Sequence, residues 1–205
     1  SCEDACGIPN GDDSSCPANL TLGAFDSSGS LEILYDFGGD VAGFQFDVTG
    51  LAITGASGGA AGDVGFSVST GGTTVIGFSF TGAVVSAGSG VLTVLNFSEV
   101  TADATELSLG NFGATTNAEA QNYITTASGS ITHDTDCAGA YYGDALVDDC
   151  GDCSSPDDFN SGLDDCGVCY GNNDDQDCNG ECFGDAEDDD CGVCSGGNSG
   201  HDANS

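Results

Sequence analysis

The sequence contains no lysine and no arginine among its 205 residues, against 34 aspartates and glutamates, for a formal net charge of −34. A soluble domain ordinarily carries charges of both signs. Here one sign is missing, which removes phosphate clamps, Schiff-base chemistry and cationic oxyanion stabilisers. Internal salt bridges are excluded except through the two histidines or an N-terminal amine. Nucleic acid is excluded as a partner, because its phosphates are bound chiefly through Lys and Arg, and an anionic membrane surface is disfavoured for the same reason. A compact state of this charge repels itself unless cations neutralise it. Divalent cations are therefore the expected partners.

Other absences narrow the reading further. No apolar run reaches about 18 residues, so no membrane-spanning helix is expected. No 3.6-residue apolar period of useful length occurs. There is no tryptophan, and no aromatic platform for sugars. His133 and His201 are the only general bases of near-neutral pKa, and each lies in or beside an acidic loop. No active site is found, and the chain is read as a non-enzyme. No signal peptide is visible, so a secreted protein would be present here in processed form.

What is present is unevenly spread. Residues 134–205 carry 20 of the acids, residues 19–133 carry 10 and residues 1–18 carry 4. The twelve cysteines divide the same way. Cys2, Cys6 and Cys16 stand at the front; Cys137, Cys150, Cys153, Cys166, Cys169, Cys178, Cys182, Cys191 and Cys194 stand in the tail. Three segments follow: a Cys-rich piece at 1–18, a Cys-free middle at 19–133 and an Asp/Cys-rich tail at 134–205. The even count points to disulfides at all twelve positions, and to a secreted, extracellular or cell-surface location. The pairing stays open. Three in front and nine behind are both odd numbers, so full oxidation within one chain needs a bridge between front and tail; otherwise bridges join chains.

The middle alternates apolar and polar residues with the period of a strand. Leu31, Ile33, Tyr35 and Phe37 share one face, as do Phe44, Phe46 and Val48, and Ile76, Phe78 and Phe80. Val91 to Phe97 reads as a central strand buried on both faces. Further strands are expected near Leu20–Phe25, Leu51–Thr54, Leu107–Phe112 and Ile124–Ile131. Gly38-Gly39, Gly58-Gly59, Gly71-Gly72 and Gly88-Ser89-Gly90 read as turns between strands. About nine short strands and nine phenylalanines between Phe25 and Phe112 give a mainly β fold, a jelly-roll-like two-sheet sandwich. It is long enough to fold without disulfides.

The phrases Val41-Ala42-Gly43-Phe44-Gln45-Phe46-Asp47-Val48 and Ile76-Gly77-Phe78-Ser79-Phe80-Thr81-Gly82, followed by Gly88 to Phe97, resemble cohesin-type domains over roughly residues 19–132. The resemblance implies a jelly-roll sandwich in a secreted protein, with a partner domain as the ligand of such folds. No partner-binding residue is carried over, because no matching surface motif is present.

The tail is repetitive. Asp-Asp-Cys-Gly-x-Cys occurs at Asp148–Cys153, Asp164–Cys169 and Asp189–Cys194. Asp136-Cys137-Ala138-Gly139 leads to Cys150 and Asp177-Cys178-Asn179-Gly180 leads to Cys191 in the same 13-residue step. Asp175, Asp177 and Asn179, followed by Gly180, begin as an oxygen-lined calcium loop does. Asp134 and Asp136, then Asp158, Asn160, Asp164 and Asp165, then Asp202 and Asn204 repeat the phrase, with Asp148, Asp185 and Asp189 as further ligands. Hard oxygens in this number point to several Ca²⁺ ions. The twelfth position from Asp175 is Ala186, not Glu, and no helix flanks the loop, so this is not an EF-hand. The pattern resembles thrombospondin type 3 repeats, which implies a loop-rich segment stapled by calcium and disulfides in place of a core. The three C-x2-C pairs also admit a zinc site, which the flanking carboxylates oppose by raising thiol pKa values.

The front piece repeats the tail in weakened form. Cys2 and Cys6 have the C-x3-C spacing of Cys178 and Cys182, and Asp12 and Asp13 precede Cys16 as Asp188 to Asp190 precede Cys191. The expected role is a structural one: a subunit or tandem repeat of a calcium- and disulfide-stabilised filament or adhesin stalk, with copies joined head to tail. The competing expectation is a protein-binding sandwich that recognises a partner domain, with the tail as spacer.

Overall fold

The computed structural model describes Cys6, residues 9–11 and residues 16–204. The expectations placed on Cys2, Asp12 and Asp13 lie outside those residues. The chain divides into two compact units, one ending at Asp134 and the other beginning at Thr135.

The first unit is a two-sheet sandwich. Its strands are β1 (Pro17–Asp26), β2 (Ser30–Phe37), β3 (Gly43–Thr49), β4 (Leu51–Ser57), β5 (Ser67–Gly71), β6 (Thr74–Phe78), β7 (Gly88–Val100), β8 (Ala104–Ser108), β9 (Ala114–Thr116), β10 (Ile124–Ser128) and β11 (Ser130–Thr132). One sheet has the order β10-β1-β2-β7-β4. The other has the order β11-β8-β3-β6-β5, with β9 also paired to β3. Every pairing is antiparallel except β1 with β10, which run parallel from Pro17↔Ile124 to Thr21↔Ser128. The register of β2 follows from its alternation: Leu31, Ile33 and Phe37 are buried and Asp36 is exposed. Between the sheets lie Leu20, Leu31, Ile33, Leu92 and Leu95 from the first, and Phe44, Phe46, Val48, Val75 and Leu107 from the second, none more than 4% exposed. Burying a side chain of this size stabilises by about 1.5–3 kcal/mol, so this core supports the unit without staples. Within the described residues it holds one bridge, Cys6–Cys16, with Cys16 fully buried at the entrance to β1.

Several details depart from the alternation read in sequence. Eleven strands form where about nine were expected. Ile124 to Ile131 is two strands in different sheets, parted at Gly129, whose φ is 153°. Gly88-Ser89-Gly90 opens β7 instead of forming a turn, and Gly58-Gly59 leads into a one-turn helix, α1 (Gly59–Asp63). On β6 the apolar parity is inverted. Val75 is fully buried, while Ile76 is 39% exposed and Phe80, just beyond the strand, is 82% exposed. The reason is Phe44 on the neighbouring strand: its ring occupies the space where a Cβ at Gly77 would stand. The ring supplies the volume, the glycine supplies the room, and the larger side chains of β6 face out. Phe112, expected in a strand, stands in a turn and is 84% exposed.

His133 also differs from expectation. It is a core residue, 7% exposed, with Nε2 2.8 Å from the Thr105 hydroxyl and its ring 4.9 Å from that of Phe25. Burial pushes its pKa down, so it belongs to the sandwich and not to a metal loop.

The Phe44–Gly77 contact generates a test. Gly77→Ala overpacks this site and lowers stability by about 1–3 kcal/mol, read as a shift in the urea midpoint. Gly55→Ala, on β4, meets no atom within 4 Å and leaves the midpoint nearly unchanged. Equal effects of the two would contradict the packing described.

Candidate functional site

The second unit has almost no interior. Between residues 135 and 204 only Asp148, Ala186 and Ser195 are buried. Its regular structure is two short ladders, β12 (Leu146–Val147) with β13 (Cys153–Ser154) and β14 (Glu187–Asp188) with β15 (Cys194–Ser195). The rest is turns, and the turns are repeats of one device.

Five aspartates head these turns: Asp136, Asp148, Asp164, Asp177 and Asp189. In each, Oδ1 accepts the backbone N–H groups two and four residues on, at 2.8–3.0 Å. The aspartate's own N–H donates to the carbonyl four residues on, and its carbonyl accepts from the glycine three residues on. Those glycines, Gly139, Gly151, Gly167, Gly180 and Gly192, have φ between 73° and 84°. The chemistry dictates the pattern D-x-x-G. A short carboxylate can reach its own backbone two residues ahead, and glycine adopts positive φ without a steric penalty. Oδ2 then fixes a more distant point: Ala145 N for Asp136, Ser154 Oγ for Asp148, Asn173 N for Asp164, Ala186 N for Asp177 and Asn204 N for Asp189, at 2.9–3.2 Å.

These donors hold all five carboxyls below the usual carboxylate range. For Asp136, Asp164, Asp177 and Asp189 the leading cause is the N–H of the residue four ahead: Ala140, Val168, Glu181 and Val193. For Asp148 the largest single influence is burial, which pushes upward. The N–H of Asp152, the Ser154 hydroxyl and further donors together outweigh it. Hydrogen bonds to the ionised form favour that form.

Three of the turns share a second element. Tyr142, Tyr170 and Phe183 stand six residues after Asp136, Asp164 and Asp177 with φ of 54°, 55° and 55°. Gly143, Gly171 and Gly184 follow, and a Cβ at any of them would overlap Oδ2 of its own turn's aspartate. The aromatic-glycine pair lets the chain close over the carboxylate. It was missed in the sequence, although the recurrence of Tyr-Gly, Tyr-Gly and Phe-Gly at one offset from Asp was a readable signal. Asparagines add clamps. Asn160 Oδ1 accepts the Asp149 N–H and its amide donates to the Asp149 carboxylate; Asn173 does the same to Asp165. The Tyr170 hydroxyl donates to Asp152.

Disulfides link the turns in sequence: Cys137–Cys153, Cys150–Cys169, Cys166–Cys182 and Cys178–Cys194. The Cys150–Cys153 and Cys166–Cys169 pairs are each split between different partners, and Cys194 is bonded to Cys178, so these sulfurs are not zinc ligands. One expectation is overturned. Cys191, predicted to be bridged, is an exposed free thiol.

The candidate calcium ligands are distributed as follows. Asp136, Asp148, Asp164, Asp177 and Asp189 are the turn heads. Asn179 and Asn204 lend them backbone N–H groups. Asn160 and Asp165 belong to the amide clamps, and Asp158 accepts from Ser155 Oγ. Asp175 offers its carbonyl to Phe183 N, while Asp134 and Asp202 are exposed. Asp185 lines a cavity of about 260 Å³ with Glu187, Asp188, Asp189 and Asp190. A second cavity, about 420 Å³, lies between Asp148, Asp152 and Asp164. Among the described residues one group of three His, Cys, Asp or Glu side chains brings ligating atoms within 4.8 Å: Cys178, Asp188 and Cys194. Its two sulfurs are bonded to each other, so it is no metal site. The cavity walls, by contrast, carry anionic oxygen donors, the type that Ca²⁺ takes.

The sandwich carries a different feature. An apolar cavity of about 310 Å³ is lined by residues of β3, β6 and β9, among them Ile76 and Phe78, and by Phe112.

No protein-family model matches the sequence, and no curated protein matches it. Similar solved structures match a little over half of the chain. CaCohA2 in complex with a CaDoc0917 variant is 14% identical at a TM-score of 0.43, over 56% of this chain and 98% of its own. The solution structure of CaCohA2 from Clostridium acetobutylicum is 15% identical at 0.42, over 58% and 91%. A non-cellulosomal cohesin from Archaeoglobus fulgidus is 12% identical at 0.39, over 53% and 84%. Scores of this size carry no argument about what the chain binds, and the two-sheet assignment rests on the strand pairing itself.

Two predictions follow from the turns. A carboxyl with a lowered folded-state pKa contributes stability above its unfolded value, near 3.9, and loses it as pH falls through the lowered value. The Asn179 and Glu181 amide protons, followed by NMR, therefore move upfield only below about pH 4; a midpoint at or above the free carboxylate value would contradict the bonding. Gly184→Ala displaces the Asp177 carboxylate and produces the same loss at neutral pH, whereas an unchanged spectrum would show that the glycine is not required.

Proposed function

We propose that the chain is a structural module of a secreted protein, a subunit or repeat of an extracellular filament or adhesin stalk. The sandwich is the bead and the tail is a stapled connector. One observation carries this reading: the tail spends nearly all its chemistry on linking each turn to the next and almost none on burying a core. Four bridges and five carboxylate-headed turns over about 70 residues suit a segment that resists extension. Disulfides in this number belong to oxidising compartments, which supports an extracellular setting. No helix among the described residues is long and apolar enough to cross a membrane.

Several Ca²⁺ ions complete the proposal. The walls formed by Asp185, Glu187, Asp188 and Asp190, and by Asp148, Asp152 and Asp164, place negative charges around open cavities. Bound calcium would neutralise charges that otherwise repel. The protein's own side chains would hold it and waters would fill the remaining coordination.

A second reading is favoured by the apolar cavity beside Phe112. An exposed phenylalanine beside an apolar cavity is suited to a protein partner, and the sandwich would then be a recognition module with the tail as spacer. A soluble partner bound through this face, with no self-association, would select it.

Calcium decides part of the matter directly. At about 1 mM, where extracellular calcium modules work, Ca²⁺ raises the melting temperature of the tail and contracts the chain in small-angle scattering, and EDTA reverses both. Absence of binding by calorimetry, with melting unchanged, would remove calcium from the account.

A further inference from the structure

The central strand β7 carries a phrase for which the stalk reading has no use. Asn96-Phe97-Ser98 has the form Asn-x-Ser/Thr with x other than proline, the acceptor sequence for an N-linked glycan. In sequence it closes the apolar run from Val91 to Phe97, which reads as buried on both faces. The structure places it otherwise. Leu95 is fully buried and Phe97 is 6% exposed, whereas Asn96 and Ser98 are exposed. Residues two apart on a strand share a face. The carboxamide and the hydroxyl of the acceptor phrase therefore stand together on the outer face of the first sheet. Phe97 points the other way and stacks on Phe25, with ring centroids 5.4 Å apart.

The neighbours leave room. Asn96 is paired with Ser30 of β2 on one side and with Gly55 of β4 on the other. Both are small, and a Cβ at Gly55 meets no atom within 4 Å. The Asn96 backbone carbonyl accepts from the Thr54 hydroxyl at 3.2 Å, while its carboxamide makes no hydrogen bond among the described residues. The other phrase of this form, Asn19-Leu20-Thr21, is placed differently. Asn19 is half-buried between Asp36 of β2 and Thr126 of β10, and the Thr126 hydroxyl donates to its Oδ1 at 2.8 Å. That carboxamide is already tied into the sheet; the one at Asn96 is not.

We propose that Asn96 is an N-glycosylation site, its glycan covering the outer face of β2, β7 and β4. This rests on the secreted setting proposed above. The donor is a glycan joined through its anomeric carbon to a polyisoprenyl diphosphate, and the catalyst is a membrane-bound transferase. Nδ2 of Asn96 bonds to the anomeric carbon and the bond from that carbon to the diphosphate oxygen breaks. One amide proton is released and the polyisoprenyl diphosphate leaves; nothing is oxidised or reduced. In the finished sheet β7 is paired on both sides, so a transferase that grips an extended acceptor takes the segment before β7 pairs. The folded sheet then holds the glycan, which is bulky and solubilising, outside the core.

The test uses the full chain recovered from its own cells, unsubstituted and as Asn96→Gln, Ser98→Ala and Ser98→Thr. With no Lys or Arg, cleavage is made after acidic residues. Residues 64–99 then come away as one peptide, because no Asp or Glu lies between Asp63 and Glu99. This peptide is expected to be heavier than its sequence by a glycan, localised to Asn96 by electron-transfer fragmentation. The added mass is lost in Asn96→Gln and in Ser98→Ala and kept in Ser98→Thr. Ser98→Ala leaves Asn96 in place, and an unchanged melting temperature of its unglycosylated sandwich shows that the loss reads the acceptor phrase and not misfolding. An unmodified peptide overturns the proposal, as does a glycan carried on a serine or threonine of that peptide, or one retained in Ser98→Ala. Alkylation of the same sample without reductant separates the two failures. An unmodified peptide with the four tail bridges closed defeats this inference alone, and free tail thiols defeat the secreted setting with it.

Discussion

A carboxylate that accepts two backbone N–H groups of its own turn is the interaction on which the tail depends. In water a turn of five residues has little reason to persist, because ordering its backbone costs about 1–2 kcal/mol per residue. A hydrophobic interior usually offsets that cost, and this segment lacks one. Here an ionised oxygen takes two donors at hydrogen-bond distance while the second oxygen takes another from farther along the chain. Hydrogen bonds of this kind are stronger than neutral ones because one partner is charged. The arrangement also gives the acidic composition a purpose: five of the charges are matched to backbone dipoles. The disulfides come second in this logic. They join turns that the carboxylates have already shaped, and each contributes on the order of 2–4 kcal/mol by restricting the unfolded chain.

The two units thus answer the same problem by different physics. The sandwich buries leucine, isoleucine, valine and phenylalanine between two sheets, and its single described bridge lies at the edge of the first strand. The tail leaves Tyr170 and Phe183 more than 60% exposed and spends cysteine, glycine and aspartate instead. A core stabilises a bead, which has a volume. A chain of forward rungs stabilises a line, which has a direction. That difference is the basis for reading the tail as a connector, and the acidic cavities between turns are where divalent cations would relieve the repulsion that remains.

Much of this was legible in the sequence. Leu31, Ile33 and Phe37 announced β2, and Phe44, Phe46 and Val48 announced β3, because one face of each strand meets the core and the period of two cannot be hidden. The repeats headed by Asp148, Asp164 and Asp189 were plain as text. Other features were not, for identifiable reasons. The facing of β6 depends on the Phe44 ring entering the space above Gly77, a contact between strands that alternation along one strand cannot reveal. Gly129 sends β10 and β11 into different sheets, which a continuous apolar stretch conceals. The heads Asp136 and Asp177 were picked out as cation ligands; the structure shows them first as acceptors for their own backbone, and both roles call for the same residue in the same phrase. The rungs were unreadable because spacing alone permits many pairings, and the split of the Cys150–Cys153 and Cys166–Cys169 pairs runs against the habit of joining near neighbours.

The central claim is that turns headed by aspartate are linked forward, each to the next. Mapping of disulfide-linked peptides from the non-reduced, alkylated protein addresses it most directly. The account predicts Cys137 with Cys153, Cys150 with Cys169, Cys166 with Cys182 and Cys178 with Cys194. Bridges closed within the Cys150–Cys153 or Cys166–Cys169 pairs, or thiols released by zinc chelation, would contradict it.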